Sequence, residues 1–179
     1  MSQWNVGITL YEVAKVIATN AHEGQTRKYT DEPYIEHPLA VGRMVWGLLR
    51  ASESEARKEA QYTTPVFSVD AVLAAAVMHD TVEDTSITIA QVERLLGPVV
   101  AGYVWYLTDP PVCVGNRATR KALSLERLSN APPEVRLIKM CDIVHNRMSI
   151  AEHDPKFYKT FLRETNALLD AMGWPDAKA

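Results

Sequence analysis

The stretch AAAVMHDTVEDTSIT, residues 74–88, is apolar for five positions and then sets His79, Asp80, Glu83 and Asp84 within six. A His-Asp pair at the end of a buried helix gives one nitrogen and one hard oxygen donor to the same small volume. That pairing suits divalent Mn, Fe or Zn better than calcium, which prefers oxygen ligands throughout. Two neighbours in sequence cannot surround an ion, so other ligands must come from elsewhere in the chain. His37, at the mouth of a helix, and Asp142, inside the otherwise apolar LIKMCDIVH, are the candidates. An aspartate on such a face is costly to bury unless paired, hydrogen-bonded or metal-bound. The set His37, His79, Asp80 and Asp142 would leave coordination positions for water and substrate. Glu83 and Asp84 follow His79 and Asp80 at i+4, near the ion but not on it. A general acid and base must stand there to manage the protons of a water that a metal has acidified. Singly, each residue has a plainer reading: His37 could cap a helix, and Glu83 with Asp84 could be a solvated acidic turn. The conjunction carries the case. His22, His145 and His153 lack such neighbours and read as structural or surface residues, and Trp46, Tyr103, Trp105 and Tyr106 read as core.

These residues need elements to position them. Leu10, Val13, Ala14 and Ile17 recur at helical spacing, and HPLAVGRMVWGLL starts a second helix with Pro38 at its first position. Between the two, HEGQTRKYTDEPYIE is a polar loop rich in turn formers. Asp70 suits an N-cap for AVLAAAVMHD. Thr88 and Gln91 have capping-box spacing, Gly97 falls where a C-terminal cap belongs, and Pro98 opens the next helix. NRATRKALSLERLSN reads as a basic amphipathic helix, Pro132 and Pro133 open EVRLIKMCDIVHNRMSI, and PKFYKTFLRETNALLDAMG closes the chain. Nothing alternates with period two over a convincing length, so the expected fold is all-α, a bundle of roughly seven to nine helices.

Composition sets bounds on partners. At 179 residues, 47% hydrophobic and 23% charged, the chain reads as one domain, residues 1–179, with a sizeable core. Lys and Arg number 19 against 22 Asp and Glu, a net charge of −3, so no global positive field draws nucleic acid or an anionic membrane. A phosphate-rich ligand would need a local basic cluster. No apolar run nears the ~20 residues of a membrane span. Cys113 and Cys141 are too few for a disulfide framework, and MSQWNVGITLYEVAK lacks the features of a signal peptide, so the expected compartment is the cytoplasm.

AHEGQTRKYTDEPYIEHPLAV, AAAVMHDTVEDTSIT and RLIKMCDIVHNRMSI, in this order, resemble the hydrolase domain of the RelA/SpoT family within the HD superfamily, and in particular its stand-alone small alarmone hydrolases. The resemblance covers residues from about 10 to 150. It implies a helical, manganese-dependent enzyme that removes the 3′-pyrophosphate from guanosine penta- and tetraphosphate. Carried over position by position, it makes His37, His79, Asp80 and Asp142 the Mn²⁺ ligands and Glu83 with Asp84 the catalytic pair. It assigns Arg27, Lys28 and Asn146 to the substrate, and places Ser149 where the family usually has a threonine. Arg27 and Lys28 set two cations on the loop leading to His37, where a dense polyphosphate needs neutralising, and arginine can grip it bidentately. In-line attack on phosphorus would release pyrophosphate from the ribose 3′ oxygen. With the chain filled by one helical domain, no room is left for a synthetase domain, so a hydrolase-only enzyme is expected.

Two stretches depart from the family pattern. The 41 residues between His37 and His79 are more than usual, and the excess lies in the polar RASESEARKEAQYTTP, residues 50–65. It could remodel a pocket wall, mediate self-association into a homodimer, or be a surface insertion without consequence. TDPPVCVGNRATRKAL stands where relatives have a lysine soon after Thr-Asp; Arg117, Arg120 and Lys121 could take over phosphate binding or form a solvated face. Nothing in one sequence locates the contacts that tell guanine from adenine. Adenosine alarmones with the same 3′-pyrophosphate, or another nucleotide such as NADPH, are the alternative substrates. A helix bundle binding nucleic acid through Arg117, Arg120, Lys121 and Arg127 is a rival that the acidic net charge opposes.

Overall fold

The computed structural model describes residues 8–58 and 67–174. Among them are nine α-helices: α1 (Leu10–Ala21), α2 (Glu36–Lys58), α3 (Val69–Met78), α4 (Thr81–Asp84), α5 (Ile89–Leu96), α6 (Pro98–Leu107), α7 (Arg117–Ser129), α8 (Pro133–His153) and α9 (Pro155–Ala171), with a 3-10 turn at Val112–Val114. No strand occurs among the described residues, where Thr26 and Pro33 form an isolated bridge. The all-α expectation holds, and the helix count lies within its range. No helix of the described residues is long and apolar enough to cross a membrane.

The middle of the bundle is α3. Ala71, Val72 and the run Ala74–Met78 are all buried, so this helix is apolar around its whole circumference rather than along one stripe. Such a helix belongs inside a core. α1, α2, α6 and α8 all pack against it. The small side chains of Ala74, Ala75 and Ala76 let four neighbours approach one short helix, and its C-terminal end is where His79 and Asp80 emerge.

The caps explain where the helices begin, and one differs from expectation. Ser68, extended at φ −80° and ψ 113°, caps α3 by accepting from Ala71 N. Asp70 lies inside the first turn and reaches across to α1, where Oδ2 accepts from Leu10 N (2.7 Å) and Oδ1 from Tyr11 N (3.0 Å). The first-turn N–H groups of a helix have no partner within it, so a carboxylate from a neighbouring helix can satisfy two at once. Asp70→Ala is expected to destabilise the fold by ~1–2 kcal/mol through α1, measured as a lower urea midpoint at unchanged m-value.

Thr88 and Gln91 form the expected capping box on α5. Gly97, at φ +87° and ψ 167°, ends α5 and opens directly onto Pro98 of α6, a backbone conformation that only glycine adopts without strain. α2 starts at Glu36, two residues before the expected Pro38, which still sits in the first turn where no N–H is required. The polar stretch 50–65 enters the structure as the last turns of α2 to Lys58, and its remainder from residue 59 lies outside the described residues. Trp46 and Trp105 are not core: they are 45% and 47% exposed, covered instead by Arg50 and by Arg127, whose guanidinium lies 4.6 Å from the Trp105 ring centre. Tyr103 and Tyr106 are partly buried against the core.

The α1–α2 loop folds back on itself. Arg27 N donates to Glu32 O (2.8 Å) and Tyr34 N to Gln25 O (2.9 Å), while Gln25 Nε2 reaches Asp84 O (2.9 Å). The loop is thereby tied to the turn that follows α3.

Candidate metal centre

Three helices converge on one buried spot. His37 is the second residue of α2, His79 ends α3, and Asp142 lies on α8. One ligand atom from each of these three falls within 4.8 Å of the others. Asp142 Oδ1 is 3.2 Å from His37 Nε2 and 3.7 Å from His79 Nε2, and Asp80 Oδ2 is 3.5 Å and 3.1 Å from the same two nitrogens. Both imidazoles are 1% exposed.

Proton counting shows what this spot lacks. His79 Nδ1 faces the Ala76 carbonyl at 2.8 Å, an acceptor only, so Nδ1 carries the hydrogen and a neutral ring presents a lone pair at Nε2. Neither Nε2 of His37 nor that of His79 has a hydrogen-bond partner. The lone pair of His79 Nε2 facing two carboxylate oxygens is repelled unless a cation lies between them, and His37 Nε2 brings a second nitrogen to the same spot. Two imidazoles and two carboxylates form a donor set for a divalent transition ion, and the residues present fit one.

Without an ion, a proton takes that place. Burial would lower the His79 pKa, but Asp80 and Asp142 outweigh it and push it up to about 10. Burial raises both aspartates, yet the charge of His79 holds Asp80, and that of Lys139 holds Asp142, well below the usual carboxylate range. Cation and proton compete for His79 Nε2. Apparent metal affinity should therefore rise about tenfold per pH unit between pH 7 and 9, with about one proton released per ion. Calorimetry with Mn²⁺ in buffers of different ionisation enthalpy measures both.

The surroundings hold these groups in place. Lys139 Nζ donates to Asp142 Oδ2 (2.8 Å), Asn146 Nδ2 to Asp142 Oδ1 (2.6 Å), and Arg27 Nη2 to Asn146 Oδ1 (2.9 Å). The guanidinium of Arg27 also lies over the Tyr34 ring. Tyr34 OH sits 2.7 Å from Asp80 Oδ2 and 3.0 Å from Asp84 Oδ2, joining the two carboxylates. Glu83 Oε2 accepts from Asp109 N (3.1 Å). Glu83 and Asp84 stay solvent-exposed on the rim. Partial desolvation raises both, aided by the charge of Asp109 on Glu83 and of Asp80 on Asp84.

The remaining expected site residues scatter more. Ser149 lies on α8 two turns beyond Asp142. Lys28 is exposed and engages Tyr29 OH (3.0 Å), which in turn donates to Asp154. Lys121 is not a free surface cation: its Nζ donates to Asp109 Oδ2 (2.6 Å), while Ser124 holds Oδ1 (2.6 Å). Arg120 is half-buried beside it on α7. Arg117 pairs with Glu164, and Arg127 donates to the carbonyls of Trp105 and Thr108. Four residues at this centre escape the sequence reading: Tyr34, Asp109, Lys139 and His145. Tyr34 precedes His37 by three positions, and Lys139 and His145 flank Asp142 by three on either side, so helical spacing from the ligands was the available signal. His145, expected to be structural or on the surface, instead places its Nδ1 2.9 Å from His37 Nδ1. Burial and the neighbouring His37 and Arg27 lower its pKa to about 4.

The family profile described as an HD domain matches residues 14–169. Over 140 residues the chain is 32% identical to human guanosine-3′,5′-bis(diphosphate) 3′-pyrophosphohydrolase MESH1, covering 78% of this chain and 68% of that protein. The chain belongs to the HD-domain family, in its RelA/SpoT group. This HD domain is also 31% identical over 156 residues to the bifunctional (p)ppGpp synthase/hydrolase SpoT of Escherichia coli K12, 85% of this chain but 20% of that protein. Among solved structures, a metazoan ortholog of SpoT that hydrolyzes ppGpp superposes on the HD domain with a TM-score of 0.72 at 24% identity, covering 96% and 94% of the two chains. A chain from Listeria monocytogenes EGD-e gives 0.58 at 23% identity, covering 84% and 88%. At these identities the two structures establish the fold.

Proposed function

We propose that this HD domain hydrolyses the 3′-pyrophosphate ester of (p)ppGpp, giving GDP or GTP and pyrophosphate, with Mn²⁺ as the resident ion. The observation that carries the reading is the pair of buried, unpartnered Nε2 atoms of His37 and His79 opposite the carboxylates of Asp80 and Asp142. Similarity to relatives that bear this activity in their names supports the choice of reaction. In this reading His37, His79, Asp80 and Asp142 hold the ion, whose Lewis acidity supplies charge neutralisation at phosphate and a lowered pKa for water. Glu83 and Asp84, at the open rim, take the proton of the attacking water and return one to the departing ribose 3′ oxygen. The bond from phosphorus to that oxygen breaks as the new one to water oxygen forms. Arg27, linked to Asp142 through Asn146, grips phosphate; Lys28, Arg120 and Lys121 add positive charge outside it. Asn146 and Ser149, both on α8, are assigned to the substrate in this reading. The cytoplasm is the proposed compartment, and both cysteines are free thiols.

The test uses metal-stripped protein with guanosine and adenosine 3′-pyrophosphates, with and without Mn²⁺, and follows pyrophosphate and nucleotide by chromatography. Manganese-dependent release, abolished in Glu83→Ala/Asp84→Ala, is the expected result, and the ratio between bases names the preferred nucleotide. No release from either base with metal bound overturns the reading.

A further inference from the structure

His37 and His79 reach the same spot with their Nε2 atoms, but their other nitrogens are held differently. His79 Nδ1 faces a backbone carbonyl, which can only accept, so the tautomer of His79 is settled by α3 itself. His37 Nδ1 faces the Nδ1 of a second imidazole, His145, at 2.9 Å, the ring centres 4.9 Å apart and the planes tilted by 42°. Two such nitrogens share one hydrogen: one donates and the other accepts. If His145 donates, the neutral His37 ring carries its hydrogen on Nε2, aimed at Asp142 Oδ1 (3.2 Å) and Asp80 Oδ2 (3.5 Å), and no lone pair is left for an ion. If His145 accepts, His37 keeps its hydrogen on Nδ1 and frees Nε2.

We propose that His145 is a positioning residue: its Nδ1 accepts from His37 Nδ1 and thereby fixes the tautomer in which His37 offers Nε2 to the metal. The proposal rests on the metal-centre reading above. The hydrogen of His145 then lies on its own Nε2. His145 is anchored on α8 one turn from Asp142, so the helix that supplies a carboxylate to the centre also sets the imidazole that faces it. Partners of this kind orient a ligating histidine and raise its basicity, and losing one weakens metal binding by ~10- to 100-fold.

Side-chain chemistry separates this role from simple packing. An asparagine amide is smaller than an imidazole, but in His145→Asn its oxygen takes the approximate place of Nδ1 and still accepts; His145→Leu fills the space without an acceptor. Mn²⁺ and Zn²⁺ affinities of the metal-stripped wild type and both variants are measured by competition with a fluorescent chelator, and thermal melting in EDTA checks folding. His145→Leu is expected to bind ~10- to 100-fold more weakly, with His145→Asn recovering most of that loss. Wild-type affinity in His145→Leu, or better binding in His145→Leu than in His145→Asn, overturns the proposal while leaving the metal centre standing. Failure of the wild type to bind either ion overturns the centre itself. Should His145→Leu not fold, ¹⁵N spectra of the zinc-loaded wild type decide independently: hydrogen on His145 Nε2 and His37 Nδ1 is the expected pattern, and hydrogen on His145 Nδ1 overturns it.

Discussion

Glu83→Gln is expected to lower kcat on a 3′-pyrophosphorylated guanosine nucleotide by ~10²- to 10⁴-fold, the usual contribution of a positioned general acid or base, while leaving Mn²⁺ affinity unchanged. In the variant an amide oxygen replaces the carboxylate oxygen that accepts from Asp109 N, so the rim retains its shape and loses only a group that can take up a proton. Desolvation and the negative charge of Asp109 raise the Glu83 pKa, bringing it closer to neutrality than an ordinary glutamate. Asp109→Asn removes that charge. The acidic limb of the kcat/KM profile should then move to lower pH, because Glu83 becomes easier to ionise. A limb that stays in place would assign it to Asp84, whose pKa is raised by desolvation and by Asp80 instead. Full activity in Glu83→Gln would remove Glu83 from the chemistry altogether.

Lys139→Met carries the largest expected effect on stability. Lys139 Nζ, on a side chain 17% exposed, lies 2.8 Å from Asp142 Oδ2, and its charge also lowers the pKa of Asp109 against the effect of burial. Removing one member of a buried pair leaves an uncompensated charge, worth ~3–5 kcal/mol. The metal-free variant should lose about that much, and saturating Mn²⁺ should restore part of it, because a cation at the centre supplies charge to the same carboxylate. The pH dependence has a definite sign. Asp142 has a depressed pKa in the folded protein, so its stabilisation is present above the normal carboxylate range and is lost as pH falls. Without Lys139 that loss should begin at higher pH. Urea unfolding at pH 5 and 7, with EDTA or Mn²⁺, tests both statements; a variant as stable as the wild type in EDTA would mean that Asp142 does not depend on Lys139 for its charge.

His79, Asp80 and Asp142 were legible because they break a local pattern, a His-Asp pair ending an apolar run and a carboxylate interrupting LIKMCDIVH, while His37 offered only its place at the mouth of a helix. The helices were legible for a similar reason, since Thr88 with Gln91 and Pro98 after Gly97 mark ends by short-range chemistry. What escaped is what depends on a partner from another helix. Asp70 has the composition of a cap for its own helix, and only the packing of α1 against α3 turns it toward Leu10 and Tyr11. Lys121 looks like a solvated cation until Asp109, twelve residues away, is placed beside it. Tyr34 and His145 resemble ordinary aromatic residues, and their meaning arises from the oxygen or nitrogen that each faces.

The burial of α3 divides the molecule into parts that can change at different rates. His79 and Asp80 leave the end of a helix gripped by four others, so a substitution that shifts them disturbs the whole interior. Lys28 stands exposed on the α1–α2 loop, where an exchange meets little packing resistance, and Arg27, Arg120 and Lys121 are half-buried outside the core. Descendants of this architecture can thus acquire new nucleotide preferences by rewriting the periphery, while the chemical centre passes from one to the next as a fixed inheritance.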